Sequence, residues 1–269
     1  MKLNIKKITT IFAGAFAVVS LSSCLEQEST TKLSKDGSGT ITENISVGAQ
    51  MAGMMKAQGE EGGNEFTDEA TYKTKAETMG EGVEFVGLKQ KDLDNGGLQI
   101  TATYKFADIN KLKASMSNDD SGSDPITFSY VAGDTNKLTV NMPKKAAAEG
   151  GAEDLGEIEG LEGELKPSDE DKAAQKEQMK MMAGMMAGMR MSAFIEVDGE
   201  VVKTDADFSE GNKITLYDLE IGKIFANEKA LDMLDSPDDM GDVNTMRELS
   251  KTIEGLKIEA DDKIVVEFK

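Results

Sequence analysis

Leu98-Gln99-Ile100-Thr101-Ala102-Thr103-Tyr104-Lys105-Phe106 alternates apolar and polar residues without a break. Successive side chains of a β-strand point to opposite faces, so the stretch predicts a strand that buries Leu98, Ile100, Ala102, Tyr104 and Phe106 and wets Gln99, Thr101, Thr103 and Lys105. Asn95-Gly96-Gly97 lies just before it and supplies a turn, with a further strand expected over 83–91. Together they predict a hairpin of a half-buried antiparallel sheet.

The same signature recurs on both sides. Upstream, Thr31-Lys32-Leu33, the turn Lys35-Asp36-Gly37-Ser38-Gly39 and Thr40-Ile41-Thr42 with Ile45 and Val47 predict a hairpin after a short tether. Downstream, Ile126, Phe128 and Tyr130, a turn near Gly133-Asp134, then Leu138, Val140 and Met142 are expected to continue the same sheet. Strands over 193–197 and 200–205 flank Asp198-Gly199, a favoured hairpin turn, and a strand comes next over 213–221. A last hairpin is expected from 256–259 and 264–268 across Asp261-Asp262.

Helical signals fall between these strands. They cover 50–58, then 68–79 with Thr67 as cap and Gly80 as terminator, and a short piece to 116 capped by Asp108. A longer helix starts at Ser168, with Asp171 at capping-box spacing, and runs to 189; others cover 227–234 and 244–254. The fold class expected is α+β, antiparallel β-hairpins covered by amphipathic helices. Residues 24–143 and 168–269 form its N-terminal and C-terminal parts, joined over 144–167 by an acidic connection.

Residues 1–23 have a different character. Lys2, Lys6 and Lys7 precede an uncharged, mostly apolar run over 8–21, the plan of a secretory signal peptide. It ends in Leu21-Ser22-Ser23-Cys24, which resembles the bacterial lipobox, where the thiol is acylated before the signal is removed. A retained membrane helix and an ordinary cleaved signal are the other readings. The run is short for a span of about 20 residues, and Cys24 is the sole cysteine. A diacylglyceryl group with an N-terminal acyl chain exceeds the weak membrane binding of one chain, so a stable anchor on Cys24 is expected. Position 25 is Leu rather than the Asp that resembles an inner-membrane retention signal. An outer-membrane, periplasm-facing location is therefore expected in a Gram-negative cell.

Without its signal the chain keeps 246 residues with 27 basic and 50 acidic side chains, a formal charge of −23. Phosphate recognition depends on clustered Lys and Arg, so nucleic acid is not an expected partner. Histidine is absent, which excludes Ser-His-Asp triads, His-ligated zinc and imidazole acid/base chemistry. Tryptophan is absent and aromatics are 5%, which removes the usual stacking platforms. No enzymatic activity, cofactor or catalytic residue is expected. With no disulfide possible, stability rests on packing.

Three constellations stand out. Ser34 to Thr42 resembles a calcium loop, but alignment on Gly39 puts Ser34 at the first ligand and Ile45 where a bidentate Glu belongs. A glycine-rich hairpin turn accounts for it better. Met179, Met181, Met182, Met185, Met186 and Met189 form a second, and Met-Ala-Gly-Met-Met occurs both there and at 51–55. Thioethers suit Cu(I), so Met179, Met182, Met185, Met186 and Met189 are candidate Cu(I) or apolar-ligand contacts. Flexible methionines also fill irregular cores, which is the plainer account. Third, ten carboxylates between 149 and 171 lie among flexible residues and read as a solvated linker.

Phe194-Ile195-Glu196-Val197-Asp198-Gly199-Glu200-Val201-Val202, with Gly211-Asn212-Lys213-Ile214-Thr215-Leu216-Tyr217-Asp218-Leu219 after it, resembles the LppM-type domain of bacterial lipoproteins. Asp198-Gly199 and Tyr217 stand where that family usually has Pro-Gly and Trp. The resemblance implies an envelope α+β domain and transfers no site residue. The function expected is a membrane-anchored, non-enzymatic envelope lipoprotein that binds a protein partner or an apolar ligand. The alternative is a Cu(I)-handling lipoprotein.

Overall fold

The computed structural model describes residues 25–58, 66–115, 124–143, 188–230 and 243–269. The chain opens with strands β1 (Leu25–Leu33) and β2 (Gly39–Val47), then helices α1 (Ala49–Gln58) and α2 (Glu69–Thr78). Strands β3 (Glu84–Asp92) and β4 (Leu98–Phe106) come next, then β5 (Lys113–Ala114), β6 (Ile126–Val131) and β7 (Asn136–Asn141). The C-terminal part contains β8 (Met189–Val197), β9 (Val201–Thr204), β10 (Ser209–Glu210), β11 (Lys213–Glu220), α3 (Ile221–Ala226), α4 (Val243–Thr252), β12 (Leu256–Ile258) and β13 (Lys263–Phe268).

The strands form two sheets rather than the single one expected. The larger has the order β10-β11-β8-β1-β2-β4-β3, with β12 also on β11. The smaller has the order β5-β6-β7-β13-β9. The 98–106 alternation is realised with Ile100, Ala102, Tyr104 and Phe106 buried, while Leu98 at its start is half-buried. Among the described residues every strand pairing is antiparallel except β1 with β8, which run parallel with Leu25 beside Met189 and Leu33 beside Val197.

Two expected hairpins are instead crossings between sheets. Strand β8 lies between β1 and β11, and β9 pairs with β13 in the other sheet. A strand has only two hydrogen-bonding edges, so β8 has none left for the segment after Asp198-Gly199. The C-terminal pair divides in the same way. Strand β12 pairs with β11, while β13 fills the gap between β7 and β9. The 126–142 hairpin likewise belongs to the smaller sheet, not to a continuation of the first.

Helix starts obey local chemistry. Asp68, not Thr67, caps α2 by accepting from Ala70 N–H at 3.0 Å. Asp108 caps as expected, but it opens one 3-10 turn over Ile109–Lys111 and then β5 in place of a helix. The expected helical cover is slight among the described residues: α1 and α2 give the core Ala52, Tyr72 and Ala76, and most of it comes from strands of both sheets. Tyr130 of the smaller sheet links them directly, because its hydroxyl donates to Lys35 O in the β1–β2 turn, while its ring stacks within its own sheet on Phe268 at 6.3 Å. The signal peptide, the acidic connection over 144–167 and the 168–187 part of the expected Met-rich helix lie outside the described residues, and at the end of that expected helix Met189 is in strand β8 instead.

Gly199 makes the first crossing possible. Its φ is +155°, and a Cβ there would lie 2.0 Å from the Lys269 carbonyl oxygen, whose residue is paired with Glu200 through two backbone hydrogen bonds. Gly199→Ala should therefore cost about 2–3 kcal/mol in urea unfolding. Gly82 has φ +81° but open space around it, so Gly82→Ala should cost about 1 kcal/mol. Equal losses at the two positions would remove the steric role given to Gly199.

Candidate functional site

Two regions of the large sheet carry chemistry: its inner face at mid-strand, and the end at which β1 begins. The mid-strand feature is Glu43. Residues Ile41, Glu43, Ile45 and Val47 alternate inward on β2, so the pleat delivers a carboxylate to the same buried face as three aliphatic residues. In register it is flanked by Ser29 on β1 and Ala102 on β4, and these small side chains leave it room. Glu43 is 5% exposed.

The charge is satisfied. Lys75 of α2 places its Nζ 2.8 Å from one Glu43 oxygen, and the Tyr104 hydroxyl donates to the other at 3.3 Å. Tyr72 donates to Phe66 O at 2.8 Å, its ring stacks on Phe85, and Phe85 in turn meets Tyr104 edge-on. Burial pushes the Tyr72 phenol up to about 12, with the Glu43 charge adding to it. Burial, then Glu43, raises Tyr104 further and also raises Tyr217. All three phenols stay neutral at physiological pH, where they can donate but cannot act as bases. Among the described residues no buried side-chain nitrogen or oxygen lacks a partner. The cluster therefore fixes α2 against the sheet and offers no poised acid/base pair.

A second satisfied group closes the other side of the molecule. Buried Glu259 accepts from Asp207 N–H at 3.1 Å and Phe208 N–H at 2.9 Å; burial raises its pKa against the pull of those two bonds. Arg247 of α4 bridges Asp207 at 2.7 Å and Asp261 at 2.6 Å, while Lys251 reaches Asp207 at 3.0 Å. Helix α4 is thus fastened over the β12-to-β13 crossing by ion pairs.

Of the residues that stood out in the sequence, Cys24, Met179, Met182, Met185 and Met186 lie outside the described residues, and Met189 opens β8 as a half-buried residue beside Leu25. The calcium-like loop is the tight β1–β2 turn. Asp36 Oδ1 accepts from Ser38 N–H at 3.0 Å and Ser38 Oγ at 2.6 Å, which lowers its pKa, and Gly37 supplies φ +86°. Beside that turn, Lys32, Leu33, Glu196, Asp198 and Asn212 line an open cleft of about 380 Å³, crossed by a Lys32–Glu196 pair at 3.0 Å. Glu43 was legible and missed, since alternation alone puts it on the buried face. Lys75 was not, because nothing local says which helix lies over that point.

The end where β1 begins has another character. Leu25 is paired with Val47 and with Met189, and Val47 with Leu98. From this edge α1 leaves after Gly48 and α3 leaves after Glu220.

No protein-family profile matches the chain, and no curated protein sequence matches it. The fold is similar to the folded domain of Mycobacterium tuberculosis LppM, a structure solved by NMR, at 11% identity and a TM-score of 0.32, covering 75% of this chain and 85% of that one.

Removing Lys75 leaves Glu43 without its cation. Lys75→Met should cost about 2 kcal/mol, less than for a fully buried pair because Lys75 is partly exposed. Adding Glu43→Gln should restore most of that loss in urea unfolding. Tyr72 also sets a pH limit. Its folded-state pKa lies above the ordinary 10, so its contribution is complete below pH 10 and is lost as pH rises through about 12. Tyrosinate absorbance should rise late for this residue, and Tyr72→Phe should remove one tyrosine's amplitude from the rise near pH 12 while leaving the later one of Tyr104.

Proposed function

We propose that the chain is an envelope lipoprotein held to a membrane by lipid on Cys24, without enzymatic activity, and that it binds a protein partner or an apolar ligand. The observation that carries the reading is where the fold begins. Strand β1 starts at Leu25, the residue after Cys24, and enters the interior of the large sheet directly, so the tether expected from the sequence is not there. A signal peptidase cutting before Cys24 would leave the described domain whole. A cut many residues later would remove an inner strand.

Other features agree. Among the described residues no helix is long and apolar enough to cross a membrane. The strong negative charge disfavours nucleic acid as a partner. Leu25 after the cysteine favours an outer-membrane, periplasm-facing location in a Gram-negative cell. The buried carboxylates Glu43 and Glu259 are held by Lys75, Tyr104 and backbone N–H groups, which supports a structural role over a catalytic one.

Cells grown with labelled palmitate should incorporate label into the wild-type protein and none into Cys24→Ser, which should leave the membrane fraction. Unchanged incorporation in Cys24→Ser, or none in wild type, would end the lipoprotein reading.

A further inference from the structure

We infer that α1 lies against the lipid surface that carries the anchor, with Met51 and Met54 dipping into its interface. The inference rests on acylation of Cys24 and adds an orientation to it. Its occupant is the bilayer to which this same chain is tied.

The position of α1 is set by strand register. Cys24 is one peptide unit, about 3.8 Å between Cα atoms, from Leu25. Leu25 is paired with Val47, whose strand lies about 5 Å away. Only Gly48 separates Val47 from α1, and ten residues of helix extend about 15 Å. All of α1 therefore lies within about 30 Å of the acylated residue. With no tether, a lipid surface is fixed at this end of the molecule at high effective concentration.

The composition of α1 suits that surface. Its sequence Ala-Gln-Met-Ala-Gly-Met-Met-Lys-Ala-Gln holds one charged residue, and that residue is basic, in a chain with formal net charge −20. Ala52 is buried and Met55 packs against the core, which fixes the inward side. Met51 and Met54, 38% and 56% exposed, stand three residues apart on the outward side, and a Cβ at Gly53 would meet nothing within 4 Å. Methionine is flexible and apolar, suited to an irregular lipid boundary.

Among the described residues, acidic side chains at the same edge are partly neutralised, three cations facing five carboxylates. Asp92 pairs with Lys56 at 3.0 Å, Glu220 and Glu254 share Lys223, and Asp218 binds Arg190 through two bonds of 2.7 and 2.9 Å. Asp94 of the β3–β4 turn stays exposed. Half-buried Ile221, Ile224 and Phe225 of α3 leave the same edge after Glu220.

The test uses the full-length lipoprotein, in which Cys24 is consumed by acylation and an added cysteine is the free thiol. Met54→Cys and, as a control in the smaller sheet, Val131→Cys are labelled with an environment-sensitive dye and reconstituted in phosphatidylethanolamine–phosphatidylcholine vesicles. Val131 is 63% exposed, and neighbouring Tyr130 bonds to Lys35 at the other end of β1. Lipids spin-labelled on the upper acyl chain should quench the dye at 54 several-fold more than at 131, with a blue-shifted emission at 54 alone. Equal quenching on protein shown by mass to be acylated overturns the orientation and leaves the anchor standing. An emission shift at 54 that depends on protein density, without lipid quenching, assigns α1 to a contact between copies and overturns it as well. An unacylated Cys24 overturns both readings.

Discussion

Strand β1 has two hydrogen-bonding edges, and both are occupied along all nine of its residues, by β2 on one side and β8 on the other. The rest of the architecture depends on that. Because β8 runs parallel to β1, the chain cannot return to it by a tight turn. The chain between them supplies β2, β3 and β4 to the large sheet and β5, β6 and β7 to the smaller one, which β9 and β13 complete after β8. With β11 on its far edge, β8 is saturated too, so the chain after Val197 crosses to the smaller sheet. Edge occupancy, not turn chemistry, decides which strands are neighbours.

The polar groups inside this framework act as fasteners. Glu43 sits on a face that alternation makes apolar, and it is tolerated because Ser29 and Ala102 give it space and Lys75 and Tyr104 give it partners. A buried pair of this kind adds little net stability over a hydrophobic replacement, but it penalises any arrangement in which α2 lies elsewhere. Glu259 does similar work with backbone donors, and Arg247 ties α4 both to Asp261 in the crossing it covers and to Asp207 between β9 and β10. A chain this acidic gains from such placement, since each cation inside a cluster removes repulsion that would otherwise favour expansion.

Strand content was legible in the sequence because it is written in local alternation: in 98–106, 126–130 and 138–142 the residues their parity assigns inward are buried, except for half-buried Leu98, Tyr130 and Met142 at the ends. Strand partnership was not. Asp198-Gly199 and Asp261-Asp262 carry the composition of two-residue turns, yet each lies where the chain passes from one sheet to the other. No window of ten residues distinguishes these outcomes, because the difference lies in β1 and β11 holding the edges of β8 and in β7 and β9 holding those of β13. Asp68 took the cap from Thr67 for a more local reason: its carboxylate reaches Ala70 N–H, and a charged acceptor is the stronger one. The Glu43 parity was equally available, and Lys75 required knowing the path of α2.

The position of β1 also bears on how an anchored domain resists being pulled from the membrane. Much of the strand is polar, with Glu26, Gln27, Glu28, Ser29, Thr30 and Thr31 in succession, so it is held less by apolar burial than by backbone ladders on both sides. In the proposed anchored state, a force on the lipid enters the fold at Leu25 and is directed along β1. It loads two ladders together in shear, where the same pull on an edge strand such as β3 would load only one. A central strand next to the proposed anchor is thus mechanically sound even where its side chains contribute little. A polar inner strand is acceptable for the same reason, since its hydrogen bonds to β2 and β8 carry the load.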